Sequence, residues 1–340
     1  MSRLSRRLEI ARRASLGPSR SEGRFDPEQH FLEAALRGRT ARKVRTHLRR
    51  MEPLILLTPR WSQPQGFLED IALDLAVGEP RVGCRTVSFR PLKGRSTAEA
   101  WNFILCVLQQ MLWREDALPM MVAGRRGFRS AAMGLLMRAQ EECSERLALL
   151  VHGAENLPID ALEDLSEIWA LFTEQTPVDR RVTLLAAGTI DASVSLVDAS
   201  RVQLQDYGEA EAAAAIVGRS GPTPRSNLES AARFSGGIPS VVEALGSGAR
   251  DQGRVPRSRA GLVRTMGPLA DEIRYAVDIV NSDSMLSDRL DQLLRGEPLL
   301  EIPEVDRPLF LAGLLRTVRM PGEARVLLRA PAIGAVLSQI

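Results

Sequence analysis

Between residues 54 and 205 the chain alternates short apolar runs with stretches of helical period. Leu54–Leu57 and Leu147–Val151 are unbroken apolar runs, and "RVTLLAAGT", Arg181–Thr189, is a third. "CRTVSF", Cys84–Phe89, and "RVQL" at residues 201–204 complete a set of five strands. Helices are expected over Gly66–Ala76, Thr97–Arg114, Ala131–Glu145 and Ile159–Glu174. In the second of these, Trp101, Ile104, Leu105, Leu108, Met111 and Leu112 share one face; in the last, Leu162, Leu165, Ile168, Trp169 and Phe172 do so. Asp206 and Glu209 are placed to act as a capping box for a further helix. Continuous apolar strands separated by helices are the pattern of a parallel sheet covered on both faces.

Outside this region the pattern changes. Residues 1–24 are rich in Ser, Arg and Gly without a period, and read as a basic mobile arm. Phe31, Leu32, Ala35 and Leu36, then Val44 and Leu48, suggest helices with a basic outer face. The expected division is therefore an arm (1–24), an α/β domain (25–205), a helical lid (206–252) and a terminal unit (253–340) entered through the linker Gly253–Gly261. That last unit reads as helices closed by two short strands around the Pro-Gly turn of "LLRTVRMPGEARVLLRAP", an arrangement resembling a winged helix. No internal repeat is evident.

Composition narrows the chemistry. With 340 residues, 44% hydrophobic and 26% charged, the chain suits a multi-domain globular protein. No apolar run approaches the roughly 20 residues that cross a bilayer, and the basic N-terminus lacks the apolar core of a secretion signal, so a cytoplasmic location is expected. Cys84, Cys106 and Cys143, and His30, His47 and His152, are scattered, so neither a disulfide framework nor a metal site is expected. The net charge of +3 conceals an asymmetry: residues 1–50 carry 14 Arg/Lys against 5 Asp/Glu, leaving the remainder at −6. That end suits nucleic acid or an acidic protein surface, or is simply a solvated basic face. Only Lys43 and Lys93 are lysines among 45 basic residues.

The stretch "LILLTPRWSQPQGFLEDIAL", 54–73, has the strand–turn–helix grammar of a phosphate-binding loop. Laying G-x-x-x-x-G-K-[ST] over it puts Thr58 and Gln63 at the glycines, Pro64 at the lysine and Gln65 at the magnesium-binding hydroxyl. Proline supplies neither charge nor N–H, and losing the lysine removes a charge-assisted contact of about 1.5–3 kcal/mol. "LALLVHGAENL" places His152 and Gly153 where an acidic pair would end a strand, with Glu155 two residues on. In "LLAAGT", Thr189 stands near a polar sensor position, and "FSGGIPSVVEAL" carries Gly237 and Pro239 in a Gly-x-Pro segment that is equally a turn before a helix.

Together, these elements and motif remnants resemble the AAA+ and related signal-transducing (STAND-type) P-loop ATPases, notably the origin-recognition, transposition and secretion branch. The resemblance spans residues 30–250, with a winged-helix appendage beyond. It implies an α/β fold with a parallel-sheet P-loop NTPase-like core, a helical lid and a C-terminal winged-helix-like domain. It also implies a family chemistry that uses ATP and Mg²⁺, whose phosphate loop and acidic strand end are both altered here. The expectation is a non-hydrolysing, pseudo-ATPase subunit, with no cofactor, that serves as scaffold or regulator in a larger bacterial complex. Its expected partners are proteins, among them an active ATPase or effector. An ATPase with an atypical phosphate site, using ATP and Mg²⁺, and a stand-alone DNA-binding regulator remain open alternatives.

Three sets of arginines matter to that reading. Arg201, in "DASRVQL", stands where the resemblance places an arginine reaching a neighbouring subunit's ATP; Arg180 and Arg181 are weaker candidates. For DNA or an acidic partner, "RGRTARKVRTHLRR" offers Arg42, Lys43, Arg45, Arg49 and Arg50, which neutralise phosphates without reading bases. Arg316, Arg319, Arg325 and Arg329 lie in the terminal strands as a wing or as the polar face of a packed hairpin. Aromatics, at 4%, are too sparse to suggest base stacking.

Overall fold

Five parallel strands form the centre of the first part of the chain in the computed structural model, which describes residues 37–78, 80–113, 122, 124–143, 145–176, 179–189, 199–221, 223–278, 283–321 and 323–338. The strands are β1 (Leu54–Leu57), β2 (Gly83–Ser88), β3 (Leu147–His152), β4 (Val182–Gly188) and β5 (Ser200–Gln203), in the order β2-β3-β4-β1-β5. Register pairs Leu57 with Gly188 and Gln203, and His152 with Ala187 and Ser88. The strand and helix expectations from residue 54 onward hold to within a few residues, with one larger difference given below. Residues 1–24 and the Phe31–Leu36 positions lie outside the described residues.

Every residue of β3 and β4 is buried, because helices cover both faces of the sheet. On one face, Ile55, Leu149, Val151 and Leu184 pack with α3 (Thr97–Trp113), α4 (Gly124–Glu142) and α5 (Ile159–Gln175). The expected apolar face of α5 is buried throughout, from Leu162 to Phe172. On the other face, Leu54, Leu56, Leu150 and Leu185 pack with α1 (Gly38–Arg49) and α2 (Pro64–Val77), where Val44, Leu48, Phe67 and Ile71 are fully buried. Alternate residues of one strand thus serve opposite cores.

α4 begins seven residues before the expected Ala131. Its first turns, "GRRGFRS", look like a loop, yet they are held from outside. Asp164 of α5 is fully buried and accepts from Arg125 Nε, Arg129 Nε (2.8 Å) and Trp101 Nε1 (3.0 Å). A buried carboxylate needs such partners, and satisfying it draws two arginines into helix.

The contacts divide the chain into two units. The first holds the residues to Thr58 and from Pro64 to Leu204; the second holds Gln205 onward together with Pro59–Gln63. The second unit contains α6 (Glu209–Ser220), α7 (Arg225–Ser235), α8 (Pro239–Asp251), α9 (Arg259–Thr265), α10 (Pro268–Asp278), α11 (Ser284–Leu294), α12 (Pro303–Leu311) and α13 (Pro331–Leu337). Its antiparallel sheet, in the order β6-β8-β7, joins the expected hairpin β7 (Leu315–Met320) and β8 (Glu323–Leu328) to a two-residue strand, β6 (Leu299–Leu300), with no signal in the sequence. Gly253–Gly261 runs inside this unit: Val255 is buried and Ser258 caps α9 by accepting from Gly261 N–H. The Asp206–Glu209 capping box does not form. Gly208 is the N-cap of α6, with no side-chain cap bond, because Asp206 is taken by Arg329.

The two cores rest on close packing, and Phe172→Ala should lower unfolding free energy by about 3–5 kcal/mol in a denaturant titration of the α/β unit.

Candidate functional site

In parallel α/β sheets ligands sit at the carboxyl ends of the strands. Here that edge gathers Thr58 after β1, His152 and Gly153 at the end of β3, and Thr189 after β4, since β1, β4 and β3 are neighbours in register. Thr58, the first of the sequence-predicted loop positions, thus shares one edge of the first unit with the acidic-strand and sensor positions, whereas Gln63 belongs to the second unit. Glu155 lies in a single 3₁₀ turn, Ala154–Asn156, and is exposed.

His152 is only 5% exposed, and burial, with Arg90 nearby, pushes its pKa down to about 4. It is therefore neutral at pH 7. Gly153 has φ +78, and a Cβ there would stand 2.9 Å from Asn156 Nδ2 and 3.4 Å from Arg90 N. The β3 end thus turns tightly and presents an imidazole rather than a carboxylate pair.

The loop itself is spent on structure. Thr58 N–H donates to Gly188 O (2.8 Å), Ser62 N–H donates to Pro59 O (3.1 Å), and Pro59 and Pro64 have none to give. Pro64 is the first residue of α2, a position that tolerates the missing donor. Gln65 donates to Glu69 within α2 (3.0 Å). Trp61 and Gln63 have φ +65 and +47, the left-handed region that glycine enters freely; for these side chains it costs about 1–2 kcal/mol each. The loop thus makes a bend of the kind glycine favours with Trp61 and Gln63 in the left-handed region.

Interactions within the second unit maintain that bend. Ser240, in the first turn of α8, sends its N–H (3.1 Å) and its hydroxyl (3.0 Å) to Trp61 O. Gln63 Nε2 donates to Glu243, one turn further on. Arg329, 3% exposed, donates to Arg60 O and grips both oxygens of Asp206 through Nε (2.8 Å) and Nη2. The Arg60 guanidinium lies 5.2 Å from the centre of the Trp61 ring. Gly313, at φ +79, admits these two side chains: its Cβ would meet Arg60 Cβ at 2.7 Å and Trp61 Cζ3 at 3.1 Å.

Gly237 and Pro239 serve the same assembly. Gly237 has φ +76 and a Cβ there would come within 2.0 Å of Tyr207 O, while Tyr207 N–H donates to Gly237 O (2.9 Å). Pro239 opens α8. Below it, an open cleft of about 590 Å³ is bordered by Glu243, Asp251 and Glu272, a charge that repels polyphosphate.

The remaining arginines separate clearly. Arg201 is exposed on β5, opposite Ile55 and so toward the start of the strands. Arg180 donates to Met51 O (3.2 Å) and Thr173 O (3.0 Å), and Arg181 to Cys143 O (2.9 Å). Arg45 pairs with Asp74 of α2, and Arg49 is half-buried; Arg42, Lys43 and Arg50 are exposed. In the hairpin, Arg316 is exposed and Arg325 pairs with Glu323 (2.6 Å); the side chain of Arg319 lies outside the described residues. Arg329 is not available as a wing, because its buried guanidinium is committed to Asp206 and Arg60. The roles of Ser240, Glu243 and Gly313 carry no local signal, because each meets the loop from more than 170 residues away.

Set against the needs of a magnesium triphosphate, the stretch has the bend but neither the lysine, the hydroxyl nor an acidic pair at the end of β3, and the N–H groups of Thr58 and Ser62 donate within the protein. The chain is nonetheless similar in structure to the Walker-type ATPase of Pyrococcus abyssi, with a TM-score of 0.63 at 15% identity over 89% of this chain and 95% of that one. The fold is that of a P-loop ATPase. Other matches include the RuvB Holliday junction branch migration motor of Thermotoga maritima (TM-score 0.40, 13% identity, 86% and 91% covered) and Cdc6p from Pyrobaculum aerophilum (0.40, 14%, 96% and 95%). No protein-family model and no curated protein matches this P-loop-fold chain.

Removing the Arg329 guanidinium strands a carboxylate and a carbonyl, so Arg329→Ala should destabilise the second unit by about 3–5 kcal/mol in chemical denaturation. Arg329→Lys, which lacks the two-pronged geometry, should recover only part. His152 titrates at 6.5 unfolded and about 4 folded, so its contribution is complete above pH 6.5 and is lost as pH falls to 4. His152→Asn should therefore flatten the acid limb of stability by about 3 kcal/mol at most, measured as the wild-type minus variant difference between pH 7 and 4.

Proposed function

We propose that the protein is a non-hydrolysing, AAA+-like subunit, a pseudo-ATPase that acts as scaffold or regulator in a larger bacterial complex. The observation carrying this reading is the fate of the loop at 58–65. Its carbonyls and side chains are bound by Ser240, Glu243 and Arg329, and it has neither lysine nor magnesium-binding hydroxyl. A phosphate loop works by leaving its N–H groups pointed at an anion; in this one Pro59 and Pro64 have no N–H, and those of Thr58 and Ser62 are bonded within the protein. The loss of the acidic pair at His152–Gly153 supports the same reading from a separate strand.

A scaffold of this type works through protein partners, an active ATPase or effector among them. On this reading Arg201, which is exposed on β5, would be the arginine that completes a partner's ATP site in trans. No cofactor is required. The C-terminal helices and three-stranded sheet serve as a winged-helix-like domain following a helical lid. A cytoplasmic site of action fits a chain with no described helix long and apolar enough to cross a membrane.

Isothermal titration with ATP–Mg²⁺ tests the reading. It should show no saturable heat at 1 mM nucleotide and no phosphate release. Binding with turnover that Glu155→Gln or Arg201→Ala abolishes would establish the atypical ATPase instead.

A further inference from the structure

The face of α1 that points to solvent is a single unbroken row. Arg39, Arg42, Lys43, Thr46 and Arg50 are exposed and spaced i, i+3, i+4, i+7 and i+11, the spacing of one helical stripe. The opposite face, Thr40, Ala41, Val44 and Leu48, is buried, and Arg45 is tied to Asp74 of α2. The helix therefore cannot roll, and its cations are held outward over about 16 Å.

No acid occurs from Gly38 to Met51. The first acidic residue, Glu52, is drawn to His47 Nδ1 (2.6 Å) and reaches Arg50 only at 4.0 Å. The row also continues onto the sheet. Arg146, exposed at the start of β3, donates to Arg49 O (3.1 Å), with exposed Glu145 its nearest neighbour of opposite sign in the chain.

We infer that this stripe is a docking surface for the phosphate backbone of duplex DNA. The inference rests on the proposed scaffold role and assigns it a partner and a surface. Four cations in a straight row suit a rod carrying one charge per about 1.7 Å, of which roughly ten lie within 16 Å. An acidic protein patch is usually short and mixed with apolar anchors, and the stripe offers no apolar side chain to meet them. The contact assigned is to phosphates alone, which fix a duplex in place and carry no sequence information.

Fluorescence anisotropy with two unrelated 25-base-pair duplexes tests this on the full chain. Both should bind equally, with log Kd against log salt rising at a slope of about 3–4, a loss of about 100-fold between 50 and 200 mM salt. Arg42→Ala combined with Lys43→Ala, both exposed and favourable to helix, should cut the slope by about 2, whereas Arg325→Ala in the hairpin should leave it unchanged. No binding at 25 mM salt, a slope that responds to Arg325 but not to the α1 pair, preference for single strands, or tighter capture of poly-glutamate would each overturn the assignment. Those failures leave the nucleotide titration untouched, so the scaffold reading stands or falls separately.

Discussion

The guanidinium of Arg329 organises the second unit around a loop that sequence order places far away. It is almost fully buried, holds Asp206 by two bonds and reaches the carbonyl of Arg60. A cation so deep is tolerated only when its donors are all met, and the partners come from 123 and 269 positions away. Around it, Ser240 binds the Trp61 carbonyl and Gly313 leaves room for the indole. Together these interactions stabilise a bend at Trp61 and Gln63 that those residues would not choose alone.

That arrangement changes what the β1–α2 connection is for. In a working phosphate loop the bend exists to aim amides at an anion, and glycine makes it cheap. Here the bend is kept with side chains that resist it, and the gain is packing. The chain crosses between units at Thr58–Pro59, Gln63–Pro64 and Leu204–Gln205, so the loop is part of the second unit while its flanks belong to the first.

Charge is distributed by a similar logic. Arginines with an internal task are paired with buried carboxylates or backbone carbonyls: Arg125 and Arg129 on Asp164, Arg289 on the fully buried Asp306, Arg180 on backbone carbonyls. Those of the α1 stripe remain in water. The positive charge of residues 37–50 is therefore partly structural, through Arg45, and partly an outward field.

The five strands and their helices were legible because a sheet covered on both faces demands continuous apolar runs, and Leu54–Leu57, Leu147–Val151 and the run in Arg181–Thr189 supply them. The chemistry offered by Pro64 and His152 was legible too, since proline carries no cation and imidazole no carboxylate wherever they lie. The start of α4, the strand β6, the burial of Arg329 and the failure of the Asp206 cap were not legible. Each depends on a partner remote in sequence: Asp164 for Arg125, β8 for Leu299–Leu300, Asp206 for Arg329. Local pattern is set by backbone period and side-chain polarity, which neighbours in the chain determine. Which buried charge meets which is set only once the chain has folded, because burial removes water and leaves each polar group to whichever partner the tertiary packing brings within reach.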